Sequence, residues 1–284
     1  MSDGQSAARS RTPLLLDDRL DPVETELRIH VKVANLTPAT EIRGRLLGPR
    51  CVYSSTIEIA YPAREIARPG HIELRVLIPE PSWWDPQSPF LYEGPIELVQ
   101  DGAVCDRATI RHGIRRLQFT SKGLRLNGKP YLLRGKLVAP SLSEADARQL
   151  RAGDINCLLT AVDASGIGQW TLADRIGFLV LGTTDDPARF LEHRNDLAGH
   201  PSTFGWIFNR ADFLAGPSQE TERAFFHGVN TSTGSSPPNA DFLVCHENEL
   251  AWLDDAALPK LVVTRRLPDP LPARQDVIGW IETP

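Results

Sequence analysis

The stretch whose reading decides the fold is His200-Pro201-Ser202-Thr203-Phe204-Gly205-Trp206-Ile207-Phe208-Asn209-Arg210. Its middle, 204–208, is an apolar run of strand length, entered through a Pro-Ser turn and closed by two polar side chains. Outward from it, strands alternate with helices. Strands are expected at 131–138, 155–161, 178–181, 242–245, 261–264 and 277–281. Helices are expected at 143–151 with Ser141 or Ser143 as N-cap, at 168–175, at 187–197 with Pro187 in its first turn, at 218–227 and at 249–256. Short apolar strands alternating with helices imply a parallel sheet, and this many repeats imply a closed (β/α) barrel of the TIM type. In such a barrel, polar groups just past the C-terminal ends of the strands sit where chemistry is usually done. About seven strands are countable over residues 115–284, where a complete eightfold barrel takes about 250 residues. The sequence therefore predicts a trimmed barrel, short of one strand–helix unit between Arg210 and Arg265.

Upstream the period changes to two. Leu27, Ile29, Val31 and Val33 alternate with Arg28, His30 and Lys32, the pattern of a half-buried strand. Further strands are expected at 41–47, 52–60, 72–78, 94–100 and 104–112, separated by turns such as Arg68-Pro69-Gly70 and Gln100-Asp101-Gly102. Strands at this spacing indicate an antiparallel sandwich of immunoglobulin size over residues 21–114, behind a frayed polar tail at 1–20. The expected fold class is thus multidomain, β plus α/β: an immunoglobulin-like β-sandwich followed by a trimmed TIM-type (β/α) barrel. The loop Pro81-Ser82-Trp83-Trp84-Asp85-Pro86-Gln87-Ser88-Pro89-Phe90-Leu91-Tyr92 holds two tryptophans between prolines. They are either a sugar-stacking platform or, the preferred reading, a packing staple between the domains. His30, His71 and His112 fall at unrelated positions and read as solvated surface groups.

Composition narrows the function classes. The 284 residues are 41% hydrophobic and 24% charged with a net charge of −5. There is no basic excess to neutralise phosphates, which argues against nucleic acid as a partner. No run approaches the roughly 18 apolar residues of a membrane span, and 1–13 lacks the apolar core of a signal peptide. Cys51, Cys105, Cys157 and Cys245 form no CxxC or zinc-ligand spacing, which fits a reducing cytoplasm. No metal or other cofactor is expected.

Several short motifs recur in a recognisable order: Trp84-Asp85-Pro86 with Pro89-Phe90-Leu91-Tyr92, then Gly113-Ile114-Arg115, Asn127-Gly128-Lys129-Pro130 and Arg134-Gly135. Asn156, Asp174-Arg175-Ile176-Gly177-Phe178-Leu179-Val180 and His200-Pro201-Ser202 with Trp206 follow. On these the chain, from about Glu24 onward, resembles family 2 glycoside hydrolases, the class of β-galactosidases, β-glucuronidases and β-mannosidases. The N-terminal jelly-roll domain of that family has no counterpart in the sequence. The resemblance implies a retaining glycosidase site with two glutamates at the barrel mouth. Carried onto this sequence, the acid/base glutamate falls on Ala211, or on Arg210 if a one-residue gap keeps Asn209 as the preceding asparagine. The nucleophile falls on Arg265 or Arg266. The arginine usual after the second strand is Leu159, the acidic residue after the third is Thr183, and the histidine region after the first reads Lys136-Leu137-Val138-Ala139.

Retaining hydrolysis needs two carboxyl groups about 5 Å apart, one donating a proton and one attacking the anomeric carbon. Arginine does neither, since it stays protonated and offers no lone pair, and its charge opposes an oxocarbenium-like transition state. The sequence thus reads as a catalytically degenerate relative of the family, a carbohydrate-binding or protein-interaction module, with oligomer or partner contacts on the flanks of a shortened barrel. The alternative is an active O-glycosyl hydrolase with relocated carboxylates, for which two of Asp212, Glu247, Glu249 and Glu282 must converge, one with a raised pKa. Asn209, Arg210, Asp212, Trp206, His246, Glu247, Glu249, Arg265 and Glu282 are the candidate pocket residues. Two arrangements of the mouth follow: an ion-pair network of Arg210, Arg265 and Arg266 with Asp185, Asp186, Asp212, Glu247 and Glu249, or an arginine site for an acidic sugar or other small anion. His246-Glu247-Asn248-Glu249 lacks the i, i+4 histidines of a helical zinc site and reads as a hydrated loop.

Overall fold

The computed structural model describes residues 15–33, 36–67, 72–120, 123–162, 167–184, 193, 197–208, 226–230, 240–253, 258–272 and 274–284. They form two units, one ending at Trp84 and resuming over Ser88–Ile114, the other made of Asp85–Gln87 and Arg115–Pro284.

The first unit has strands β1 (Leu15–Arg19), β2 (Glu24–Val31), β3 (Thr40–Arg50), β4 (Ile59–Pro62), β5 (Arg64–Ala67), β6 (Ile72–Pro79), β7 (Leu91–Gln100) and β8 (Ala103–His112). They make two antiparallel sheets, ordered β1-β2-β6-β5 and β4-β3-β7-β8. The period-two pattern places Leu27, Ile29, Val31, Leu74 and Val76 from one sheet, and Leu46, Ile96, Leu98 and Ile110 from the other, in one core. Each fully buried aliphatic side chain contributes about 1.5–3 kcal/mol. Alternate residues face out and pair, Arg28 with both Glu26 and Glu73.

Two expectations fail here. Part of the supposed tail is a strand, since β1 pairs with β2 from Leu15↔His30 to Arg19↔Glu26. The strand expected at 52–60 is mostly absent: a bridge between Cys51 and Ser54 closes a turn, and regular pairing resumes only at β4. Val52, Tyr53, Ile57 and Ile59 are exposed, so this apolar segment carries strand-like residues without a face to bury. The tryptophan loop splits between the units. Trp84 is fully buried and Trp83 packs on the first core, which removes Trp84 as a sugar platform.

The second unit opens with β9 (Leu117–Thr120), β10 (Gly123–Leu126) and β11 (Lys129–Pro130). Asn127 (φ 50°) and Gly128 (φ 78°) make the tight β10–β11 turn, as the Asn-Gly pair requires. Eight parallel strands then close a barrel in chain order: β12 (Leu133–Leu137), β13 (Cys157–Ala161), β14 (Leu179–Thr184), β15 (Thr203–Phe208), β16 (Phe226–Asn230), β17 (Phe242–His246), β18 (Lys260–Thr264) and β19 (Val277–Glu282). Closure is by β12 on β19, Leu133↔Gly279 to Lys136↔Glu282.

The barrel is therefore complete in strands, which corrects the expected loss of one. The missing strand is β16, where the sequence predicted the end of a helix. Its register, Gly205↔Phe226 and Gly228↔Phe242, shows five residues recruited by both neighbours against their own weak propensity. The helical layer is described only in part. Helices α1 (Glu144–Ala152) and α2 (Ile167–Ile176) are present, with Ser143 capping α1 by accepting from the Asp146 N–H at 3.1 Å. After β17 comes the 3-10 turn Glu247–Trp252, where the first half of the helix expected at 249–256 would lie; residues 254–257 lie outside the described residues. The described residues of 265–276 contain no helix. Leu250, Leu253, Leu267 and Leu271 cover the outer faces of Cys245, Val262, Val277 and Trp280. In this unit, Leu137 and Trp252 are the large apolar side chains left exposed among the described residues. The helix expected at 187–197 lies largely outside the described residues, as does 218–225.

The lower end of the barrel is closed by the β9–β10 hairpin. The Phe119 ring lies 4.3 Å from Phe226, 6.2 Å from Phe242 and 6.3 Å from Phe204, all near the N-terminal ends of their strands. Several motifs of the family resemblance also act as scaffold. Asn156 accepts from the Arg134 N–H (2.8 Å) and donates to Leu132 O (3.0 Å), fixing the start of β12. Gly177 has φ 85°, and a Cβ there would stand 2.3 Å from Pro86 O. That position needs glycine on both counts. Asp174 is buried on α2, 2.6 Å from His200 Nδ1 and accepting from the Ser202 N–H at 3.0 Å.

Candidate functional site

The opposite end of the barrel holds the residues that follow each strand. Lys136 near the end of β12 and Glu282 at the end of β19 are register neighbours, and their side chains pair at 2.7 Å. Glu282 also accepts from the Leu267 N–H at 3.3 Å. The hydrogen bond from the Lys136 ammonium, helped by Leu267 and by the nearby charge of Arg266, holds the Glu282 carboxyl below the usual range, with burial acting weakly against them. A carboxyl so held stays ionised and is a poor proton donor.

β18, the seventh barrel strand, ends at Thr264, just before Arg265 and Arg266, where the resemblance implies a nucleophile. The Thr264 hydroxyl lies 2.9 Å from Glu247 Oε2 and 3.1 Å from Arg266 O, which folds the chain into a tight turn. Arg265 and Arg266 follow, both exposed, and neither forms an ion pair among the described residues. On the neighbouring β17, the His246 N–H donates to Glu249 Oε2 at 2.7 Å, so Glu249 caps the 3-10 turn. Of the expected network of Arg210, Arg265 and Arg266 with Asp185, Asp186, Asp212, Glu247 and Glu249, the described part shows Glu247 on the Thr264 hydroxyl and Glu249 on the His246 N–H; Arg210, Asp185, Asp186 and Asp212 lie outside the described residues.

The candidate residues divide three ways. His246, Glu247, Glu249, Arg265 and Glu282 all sit at this end, on or just after the last three strands. Trp206 does not join them: it is fully buried, stacked on Trp170 of α2 at 6.3 Å and 22° within the strand–helix core. Asn209, Arg210, Ala211 and Asp212, with Asp185 and Asp186, lie outside the described residues. Leu159 is buried in β13 and Thr183 lies on β14, so neither position carries a charge.

Sequence reasoning missed Lys136, Thr264 and Trp252. Lys136 was placed in a family-derived segment but given no role, although its place beside the last strand follows from barrel closure. Thr264 carries no motif. Trp252 fell inside an expected helix, where an aromatic reads as packing, yet it is 87% exposed. The mouth so far described offers hydroxyl-compatible hydrogen-bonding groups and two exposed guanidinium groups. Among the described residues, no three His, Cys, Asp or Glu side chains gather to hold a metal ion, and no helix is long and apolar enough to cross a membrane.

No family model matches the sequence. A β-galactosidase of Psychromonas ingrahamii is 33% identical over 103 residues, 36% of this chain and 9% of that protein. One from Oenococcus oeni is 27% identical over 130 residues, 42% of this chain and 12% of the relative. In three dimensions, a glycosyl hydrolase family 2 member from Bacteroides cellulosilyticus superposes with a TM-score of 0.70 at 17% identity, over 98% of this chain and 46% of the other. A β-glucuronidase from Ruminococcus gnavus, in complex with a C6-substituted uronic isofagomine, gives 0.70 at 13% identity, over 97% and 61%. At such identities the structural likeness speaks for the fold, and the chain spans under two thirds of each of these four proteins.

Proposed function

From the premise that this chain is family 2 glycoside hydrolase-like in local sequence and in fold, we propose that it is a catalytically degenerate relative that binds carbohydrate without hydrolysing it. The observation that carries this reading is the end of β18, where Thr264-Arg265-Arg266 stands in place of a carboxylate. The described carboxylates nearby are committed elsewhere, Glu282 to Lys136, Glu247 to Thr264 and Glu249 to a backbone N–H. Two carboxyl groups free to act as acid and nucleophile are what the mechanism demands.

Incubation with nitrophenyl β-galactoside, β-glucuronide and β-mannoside is the test. No turnover is expected, while a panel of mono- and disaccharides raises the melting temperature in proportion to occupancy. Turnover lost on mutating Glu247 or Glu282 overturns the proposal. A hydrolase with relocated carboxylates draws support from one observation: Glu247 and Glu282 are both tied to the Thr264–Leu267 turn. The lowered pKa direction of Glu282 weighs against it, because the acid of such a pair needs the opposite shift.

The first unit is read as immunoglobulin-like. Its order, β1-β2-β6-β5 against β4-β3-β7-β8, corresponds to A-B-E-D against C′-C-F-G. Four cysteines without a disulfide support a reducing, cytoplasmic setting. Arg265 and Arg266 would favour an acidic group on the bound molecule through bidentate hydrogen bonds.

A further inference from the structure

The chain passes between its two units more than once. It leaves the first at Trp84, runs through the second as Asp85–Gln87, returns at Ser88 and leaves again after Ile114. The excursion is the tip of the connection between β6 and β7, and its base is closed within the first unit. The Ser82 N–H donates to the Tyr92 hydroxyl at 2.9 Å, and the Trp84 N–H donates to Ile114 O at 2.7 Å, beside the last crossing. Its tip is held within the second unit by Arg151, in the last turn of α1. Nη2 of Arg151 donates to Gln87 O at 2.9 Å, and Nη1 to Pro86 O, to Ile176 O at 2.9 Å and to Gly177 O at 3.3 Å. Ile176 ends α2, so the same guanidinium satisfies carbonyls that the helix leaves unpaired and sits at the negative end of its dipole. Gly177 is part of the fit, since a Cβ there would collide with Pro86 O and with Nη1 of Arg151.

We propose that Arg151 is a clasp on this threaded segment and that, through it, the two units unfold as one cooperative body. Units joined by a single linker open independently by default. Here the β6–β7 connection cannot leave the second unit without giving up its carbonyl contacts to Arg151, and its closed base leaves it little length to yield. The role suits arginine, whose planar fork reaches acceptors in several directions at once, where lysine offers a single point charge. The clasp is independent of the carbohydrate-binding reading: it sets what opening one unit costs the other, whether or not the mouth takes a ligand.

Hydrogen exchange read by mass spectrometry in sub-denaturing urea is the test, because the slowest amides of each unit report its own opening. In the full native chain, peptides from β2 and β6 and peptides from β13 and β14 are expected to share one protection level and one urea slope. R151A is expected to separate the two sets by about tenfold or more, the scale of losing hydrogen bonds from a charged group. G177A, which crowds Pro86 and strains a positive φ, is expected to do the same. V262A is the control for a merely weaker barrel: it truncates a fully buried side chain on β18 and should lower both sets together. If R151A does not fold, R151K, which keeps the charge and loses the fork, replaces it in the same readout with a smaller separation expected. Protection already split about tenfold between the units of the native chain overturns the clasp. So does protection that stays coincident in the Arg151 variant and in G177A as it does in V262A.

Discussion

The two ends of the barrel treat their charges differently. At the lower end, Asp174 is 1% exposed and holds both His200 and the Ser202 N–H. Lys260, at the start of β18 and also 1% exposed, meets Asp276, which Arg274 grips as well. At the mouth, Lys136 and Glu282 pair while 42% and 27% exposed, and Arg265 and Arg266 stand in solvent. A buried ionic group deprived of its partner costs several kcal/mol, whereas an exposed pair is worth about 0–1. The lower end therefore carries the fold, and the mouth is free to change without unfolding it. The arginines at the end of β18 occur where substitution is least expensive to stability.

The sharpest way to break that contrast is Asp174→Ala. It leaves a buried N–H unsatisfied and the His200 ring without its acceptor, and should lower unfolding free energy by about 3 kcal/mol, read by urea denaturation. A loss below 1 kcal/mol would mean that the lower end is no more dependent on its polar contacts than the mouth.

Acid tests the same end. The Asp276 carboxyl lies at about 2, lowered by hydrogen bonding from Arg274 and then from Lys260 against the opposing effect of burial. A folded pKa below the unfolded one means a stabilising contribution, complete above about pH 4, that fades as pH falls towards 2. With the side chain 34% exposed, screening reduces its worth to about 1 kcal/mol. Asp276→Asn should flatten the stability profile between pH 4 and 2, and an unchanged slope would sink this assignment.

The same division explains what was legible in the sequence. Strands with a face to bury announce themselves: Leu27, Ile29 and Val31 fix β2, and the apolar runs of β15, β17, β18 and β19 fix those strands. The motifs Asn156, Asp174, Gly177 and His200 are legible through the family resemblance, and each makes contacts that few other residues can make. β16 was not legible, since Phe226-His227-Gly228-Val229-Asn230 has neither period and is held as a strand by pairing on both sides. The 52–60 segment misled for the opposite reason, with apolar side chains that remain exposed. At the mouth, the identity of the residues on β18 could be read, but their partners could not. Lys136 and Glu282 are 146 residues apart, and only closure of the barrel makes them neighbours.

Breaking that neighbour pair should do little to the fold. Lys136→Met is expected to cost less than about 1 kcal/mol, while the Glu282 carboxyl moves upward towards its ordinary range once the ammonium is gone. Carbon-detected NMR titration of the side chain reads the second effect directly. If the substitution instead lowers stability by several kcal/mol, the mouth is a structural element, and its charges are not free to vary.

The smallest effect is expected from restoring a carboxylate in Arg265→Glu. Arg265 is exposed and has no ion pair among the described residues, so stability should shift by no more than about 0.5 kcal/mol. Hydrolysis of nitrophenyl glycosides should not appear. A single glutamate at the end of β18 can at most supply an attacking group, and the mechanism also requires a protonated acid about 5 Å away. Glu282, held ionised by Lys136 and Leu267, cannot fill that role at neutral pH. The double substitution Arg265→Glu with Lys136→Met releases Glu282 and separates the two requirements. Turnover by the single variant would mean that a proton donor is already in place at the mouth. Turnover by the double variant alone would locate that donor at Glu282, and silence from both is what a mouth converted to binding predicts.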